Sequence, residues 1–120
     1  MIIKEINKGN KIPYSINENQ KTITFNDRLT INLEENQADV EVVIDISLNK
    51  NMELIQGVDK WYVANLIIPA AEYELIDTGE VDENNQPIME NTKKELSLDE
   101  VKLILWGLPG EFNITDGGIK

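Results

Sequence analysis

Between Val40 and Leu48 the chain alternates with a period of two. Val40, Val42, Ile44, Ile46 and Leu48 fall on one side, and Glu41 and Asp45 fall on the other. Successive side chains of an extended chain point to opposite faces, so this pattern predicts a strand with one buried face. The same period recurs upstream. Ile23 and Phe25 alternate, Asn26-Asp27 marks a turn, and Leu29, Ile31 and Leu33 alternate again. Two alternating runs around a short polar turn predict a hairpin, although the Asn-Gly or Asp-Gly signal is missing. Glu34-Glu35-Asn36-Gln37 is the next polar connection.

A different pattern follows. Residues 50–57 read as a turn or a short helix. From Trp61 to Ile68 both faces are apolar and only Asn65 interrupts them. Such a run predicts a central strand covered on both sides. Pro69 ends or bends it, because proline has no ladder N–H to donate. Tyr73, Leu75 and Asp77 alternate with Glu72, Glu74 and Ile76 and predict a further strand. Residues 78–95 are polar, contain Gly79, Asn84, Asn85 and Pro87, and predict a long loop or a protruding hairpin tip.

The segment 98–106 supports two readings. Ser97 followed by Glu100 has the spacing of a capping box and would start a short helix. Val101, Leu103 and Leu105 alternate with Lys102, Ile104 and Trp106, and Gly107 and Pro109 stop the element early. The alternation favours a strand. Residues 111–120 contain Gly117-Gly118 and read as a tail that is mobile at its end.

Six to eight short strands with frequent turns predict an all-β, mainly antiparallel fold, a β-sandwich or a barrel-like sheet. A chain of 120 residues fits one domain, 1–120. Its core must be aliphatic, because aromatic residues make up only 6% while Ile alone occurs 17 times. β-branched side chains suit a pleated surface.

Composition removes several function classes. With no His and no Cys, the Ser/His/Asp and Cys/His nucleophilic arrangements, zinc fingers and disulfide scaffolds are all excluded. No glycine-rich phosphate loop is present. Paired carboxylates of the glycosidase kind remain open on paper, but acidic residues are too numerous to discriminate. We expect no catalytic residues, no cofactor and no metal site. Asp82-Glu83-Asn84-Asn85-Gln86-Pro87 starts like a calcium loop, yet Pro87 and Lys93 stand where an EF-hand needs Gly and Glu. A looser site among Asp77, Glu80, Asp82 and Glu83 is the only metal candidate.

Net charge is −11. Residues 71–100 carry ten acids against Lys93 and Lys94, whereas residues 1–30 carry five bases and three acids. With a single Arg, Arg28, the chain is poorly equipped to neutralise phosphates, so nucleic acid is not an expected partner. The N-terminus Met1-Ile2-Ile3-Lys4-Glu5-Ile6 lacks a signal-peptide apolar core. No apolar run approaches the ~20 residues that span a bilayer, so no membrane contact is expected. Trp61 and Trp106 lie in apolar runs and read as core residues, with an exposed contact patch as the alternative.

One stretch has a wider likeness. Trp61-Tyr62-Val63-Ala64-Asn65-Leu66-Ile67-Ile68-Pro69-Ala70, then Asp77-Thr78-Gly79, then the 82–87 tip, then Leu98-Asp99-Glu100-Val101-Lys102-Leu103-Ile104-Leu105-Trp106 resembles small uncharacterised prophage-encoded proteins of low-GC Gram-positive bacteria. The resemblance implies a phage-related, virion- or tail-associated role, with the protein cytoplasmic in the host during expression and then in the particle. It carries over no catalytic residues. The leading expectation is therefore a non-enzymatic structural or assembly protein that acts through protein partners or self-association, with residues 78–95 as an arm that orders on assembly. The alternatives are a β-sandwich binding module for carbohydrate or a cell-surface ligand, and an acidic adaptor or inhibitor that docks a basic protein partner through residues 71–100.

Overall fold

The computed structural model describes residues 1–110 and Phe112. Ten strands form two sheets and a separate hairpin, with one turn of 3-10 helix at Leu98–Glu100. The all-β, antiparallel-dominated fold expected from the alternation is present. The sheets do not close into a barrel; they stack as a sandwich over one core.

The smaller sheet shows how directly the period of two builds it. Strands β2 (Tyr14–Asn17), β3 (Thr22–Phe25) and β4 (Leu29–Asn32) pair antiparallel in that order. Register aligns Tyr14 with Phe25 and Leu29, and Ile16 with Ile23 and Ile31. Directly opposed residues share a face, so one face is wholly apolar. The other carries Ser15, Thr24 and Thr30 in one row and Asn17, Thr22 and Asn32 in the next. Thr24 and Thr30 hydroxyls hydrogen-bond across it at 2.8 Å. The Asn26-Asp27 turn works without glycine because both residues adopt the left-handed region, φ 52° and 54°, which Asn and Asp tolerate best.

The larger sheet has the order β1 (Ile2–Glu5), β10 (Lys102–Leu105), β7 (Trp61–Ile68), β5 (Val42–Leu48) and β6 (Leu54–Gln56). Among the described residues, only the β1–β10 pair is parallel. Ile44, Ile46 and Leu48 of β5, Ala64, Leu66 and Ile68 of β7, and Leu103 and Leu105 of β10 are buried against Ile23, Phe25, Ile31 and Leu33 of the smaller sheet region. Ile12, Val63, Leu96 and Val101 complete this core.

Several expectations need correction. The strand predicted over 40–48 starts at Val42, and Val40 is exposed. Residues 50–57 form a turn and the short strand β6. Both readings of 98–106 are partly realised, since a single 3-10 turn precedes β10 and the Ser97 side chain makes no capping hydrogen bond. The 61–68 run is central in its sheet but is buried mainly on one face. A register shift between Ile46 and Ser47 skips Val63 on β7. This bulge turns both Val63 and Ala64 inward, and it made the strand look apolar on two sides. Ser47, fully buried, donates to the Gly57 carbonyl at 2.7 Å. Ten strands replace the expected six to eight because β1, β2 and β6 are too short or too polar to announce themselves. The 111–120 tail, Phe112 apart, lies outside the described residues.

Candidate functional site

β7 and β10 are antiparallel neighbours, with Ile67 opposite Lys102 and Ala64 opposite Leu105. A short turn would suffice to join them. The chain instead inserts 33 residues, of which β8 (Tyr73–Val81) and β9 (Pro87–Lys93) form a two-stranded hairpin that belongs to neither sheet. All nine residues of β8 are exposed, and so are all of β9 except one. A nine-residue strand reaches about 30 Å, and the molecule measures 69 × 24 × 22 Å. Residues 78–95 are thus largely an arm, and it is a formed hairpin in the single chain.

The arm is held in shape by its own groups. At the tip, Asp82 Oδ1 accepts the N–H groups of Asn84 and Gln86, both at 2.9 Å. Asn85, at φ 60°, closes the turn with its N–H on the Asp82 carbonyl. A bulge lies between Asp77 and Val81. There Gly79 sits at φ 85° and donates its N–H to Asp77 Oδ1, and the Thr78 hydroxyl donates to the Ile88 carbonyl. The carboxylates of Asp77 and Asp82, two of the looser metal candidates, are therefore engaged in shaping the backbone. No group of three or more acidic side chains suited to a metal occurs among the described residues.

The arm's side chains do not match its solvent setting. Register puts Tyr73, Leu75, Asp77, Met89, Asn91 and Lys93 on one face and Glu74, Ile76, Glu90 and Thr92 on the other. Leu75 is 67% exposed, and Tyr73, Ile76, Val81, Ile88 and Met89 are exposed too. An isolated two-stranded hairpin is marginal in water, and this one exposes apolar residues on both of its faces.

The root of the arm is tied to the segment between β4 and β5. The Ala71 N–H bonds the Ala38 carbonyl, Lys94 N–H bonds the Glu72 carbonyl, and the Gln37 side chain donates to the Pro69 carbonyl. The Tyr73 hydroxyl donates to Asp39 Oδ1 at 2.7 Å. That hydrogen bond, with lesser contributions from desolvation and the Asp39 charge, raises the Tyr73 pKa above its ordinary value of 10.0. The sign follows directly. The neutral phenol is favoured in the folded state, so this tether is complete below pH ~10 and is lost as pH rises through the raised pKa. In an ultraviolet titration, Tyr73→Phe is expected to delete a phenol that ionises above the ordinary tyrosine range. Loss instead of a phenol that ionises in the ordinary tyrosine range would show that the Asp39 contact does not form.

The outer face of the larger sheet is a second surface. One row runs Val43, Ile67, Lys102 and Ile2, and the next runs Asp45, Asn65, Ile104 and Lys4. Trp106 Nε1 donates to Asn65 Oδ1 at 2.6 Å, and Asn65 Nδ2 donates to Asp45 Oδ1 at 2.7 Å. The rings of Tyr62 and Trp106 lie 6.3 Å apart at an interplanar angle of 32°. Both tryptophans are half-buried and neither belongs to the fully buried core. Asn65, the one polar interruption of the 61–68 run, is the residue that fixes the Trp106 indole.

Compared with family models, curated proteins and solved structures, the chain shows no match. Among the described residues, no helix is long and apolar enough to cross a membrane.

Proposed function

We propose that this chain is a non-enzymatic assembly protein that acts through contacts between copies of itself, with the 73–93 hairpin as the contact element. The observation that carries this reading is the arm: an ordered hairpin, free of both sheets, with apolar side chains exposed on both faces. The outer face of the smaller sheet, by contrast, carries only Ser, Thr and Asn. A partner surface explains the apolar residues that the arm exposes on both of its faces. The likeness of residues 61–106 to prophage-encoded proteins supports placing that assembly in a phage particle or tail.

The Tyr62–Trp106 pair favours a second reading, a ligand platform on the larger sheet. It ranks lower because Trp106 Nε1, Asn65 and Asp45 are already joined to one another. The acidic-adaptor reading draws on the six acids and one lysine of residues 73–93, and it leaves the arm's apolar faces unexplained.

The test uses the closing pair at the arm's root. Because Lys94 N–H already bonds the Glu72 carbonyl at 2.8 Å, residues 73–93 can be replaced by Asn-Gly, a two-residue hairpin turn. Mass in solution is then measured by light scattering over a hundredfold concentration range. The full chain is expected to form a discrete multimer and the shortened chain a monomer with an unchanged melting temperature. A full chain that stays monomeric throughout overturns the reading.

A further inference from the structure

If the arm is a contact element, it needs a receiving surface, and the open edge of β1 has the matching geometry. β1 is the terminal strand of the five-stranded sheet. Ile2 N–H bonds the Val101 carbonyl and Ile6 N–H bonds the Leu105 carbonyl. In a parallel pair the even residues of β1 thus face β10, and the N–H and C=O groups of Ile3 and Glu5 point away from the sheet. Among the described residues, no strand pairs with them. Free edges of this kind accept a further strand.

The side chains around this edge complement the arm. Ile2, Lys4 and Lys102 share the outer face, and Ile2 and Ile3 are 52% and 44% exposed. Neither Lys4 nor Lys102 has an ion-pair partner among the described residues. On the arm, Glu90 of β9 carries the charge opposite to that of Lys4, and an antiparallel addition sets the two side by side, with exposed Ile88 and Met89 next to Glu90 as Ile2 and Ile3 are next to Lys4. Glu90 is likewise unpaired. The chain as a whole repeats this division, with the acid excess in residues 71–100 and the basic excess in residues 1–30.

Resting on the assembly reading, we infer that the β9 edge of one copy's arm adds to the β1 edge of a second copy, with Glu90 beside Lys4. The contact joins two different surfaces. It therefore closes as a reciprocal arm exchange or a ring, or else it propagates as a filament.

Charge exchange tests this. Lys4→Glu alone and Glu90→Lys alone each oppose like charges, and each is expected to raise the dissociation concentration about tenfold. The double variant K4E/E90K restores the pair and returns assembly to near the wild-type value. An equimolar mixture of the two single variants also assembles, because each arm then meets an edge of opposite sign. Glu5→Pro removes an outward N–H that β10 does not use, so the fold is retained while strand addition weakens by roughly a hundredfold. Circular dichroism confirms the fold of each variant. If the singles assemble like wild type, or the double variant fails to recover, the arm docks elsewhere and this inference falls, while the loss of assembly in the arm-less chain still supports the wider reading. If the wild type never associates, the wider reading falls with it.

Discussion

Phe25→Ala is expected to destabilise the chain by about 3–5 kcal/mol, near the top of the range for a single core truncation. Phe25 is fully buried at the end of β3. It belongs to the one cluster that joins the two sheets, whose other members include side chains of β5, β7 and β10 as well as its own sheet. It is also the only phenylalanine in that buried set, and aliphatic residues on rigid strands cannot swing in to refill the space. A domain of this size has a total stability of about 5–15 kcal/mol, so the variant approaches the limit of folding. Its melting temperature is expected to fall by on the order of 15 °C. The control is Leu75→Ala on the arm, where the side chain is 67% exposed and the expected change in the monomer is below about 0.5 kcal/mol. Equal losses at the two positions would mean that the two sheets do not share a core.

The contrast between these sites also shows what the sequence made legible. Phe25, Ile23, Ile31, Ile44, Ile46, Leu48, Leu103 and Leu105 were all placed on inward faces by their period of two, and all are buried. Their environment depends on local alternation, which the sequence displays. The arm was partly legible for the opposite reason, since residues 78–95 are too polar for a core. Its inner limit was not, because Tyr73-Glu74-Leu75-Ile76 alternates like any half-buried strand, and only the fold shows that the strand leaves the body. Long-range choices were invisible. Nothing local to Ile2-Ile3-Lys4-Glu5 indicates a parallel partner a hundred residues away, because that pairing depends on how the whole chain returns. The Tyr73–Asp39 hydrogen bond spans 34 positions and has no sequence signal. The β7 bulge misled in a specific way, since one extra residue at Val63 shifts the inward set and mimics a strand buried on both faces.

Gly107 controls whether the proposed receiving edge exists at all. The segment that follows β1 crosses the segment that follows β10 at close range. Gly107 N–H donates to Asn7 Oδ1 at 2.5 Å, and Leu108 N–H donates to the Asn10 carbonyl at 2.8 Å. A Cβ at position 107 would collide with the Lys8 backbone carbonyl, and the Asn7 side-chain oxygen would stand 3.0 Å away. Backbone cannot turn aside as a side chain can, so the crossing must open. Gly107→Val is expected to cost about 3 kcal/mol, the upper part of the range for overpacking. The loss is directional. β1 is the terminal strand, each of its residues is exposed, and among the described residues it pairs with β10 alone. It is therefore the element that frays when its continuation is pushed away. Hydrogen exchange should show lost protection at Ile2, Lys4 and Ile6, whose amides face β10, while Ile46 and Leu66 in the sheet centre stay protected. Self-association should fall together with that protection, because an arm cannot add to an edge that has left its sheet. A variant that frays β1 yet assembles like wild type would separate the edge from the assembly and move the docking surface to the outer face around Tyr62 and Trp106.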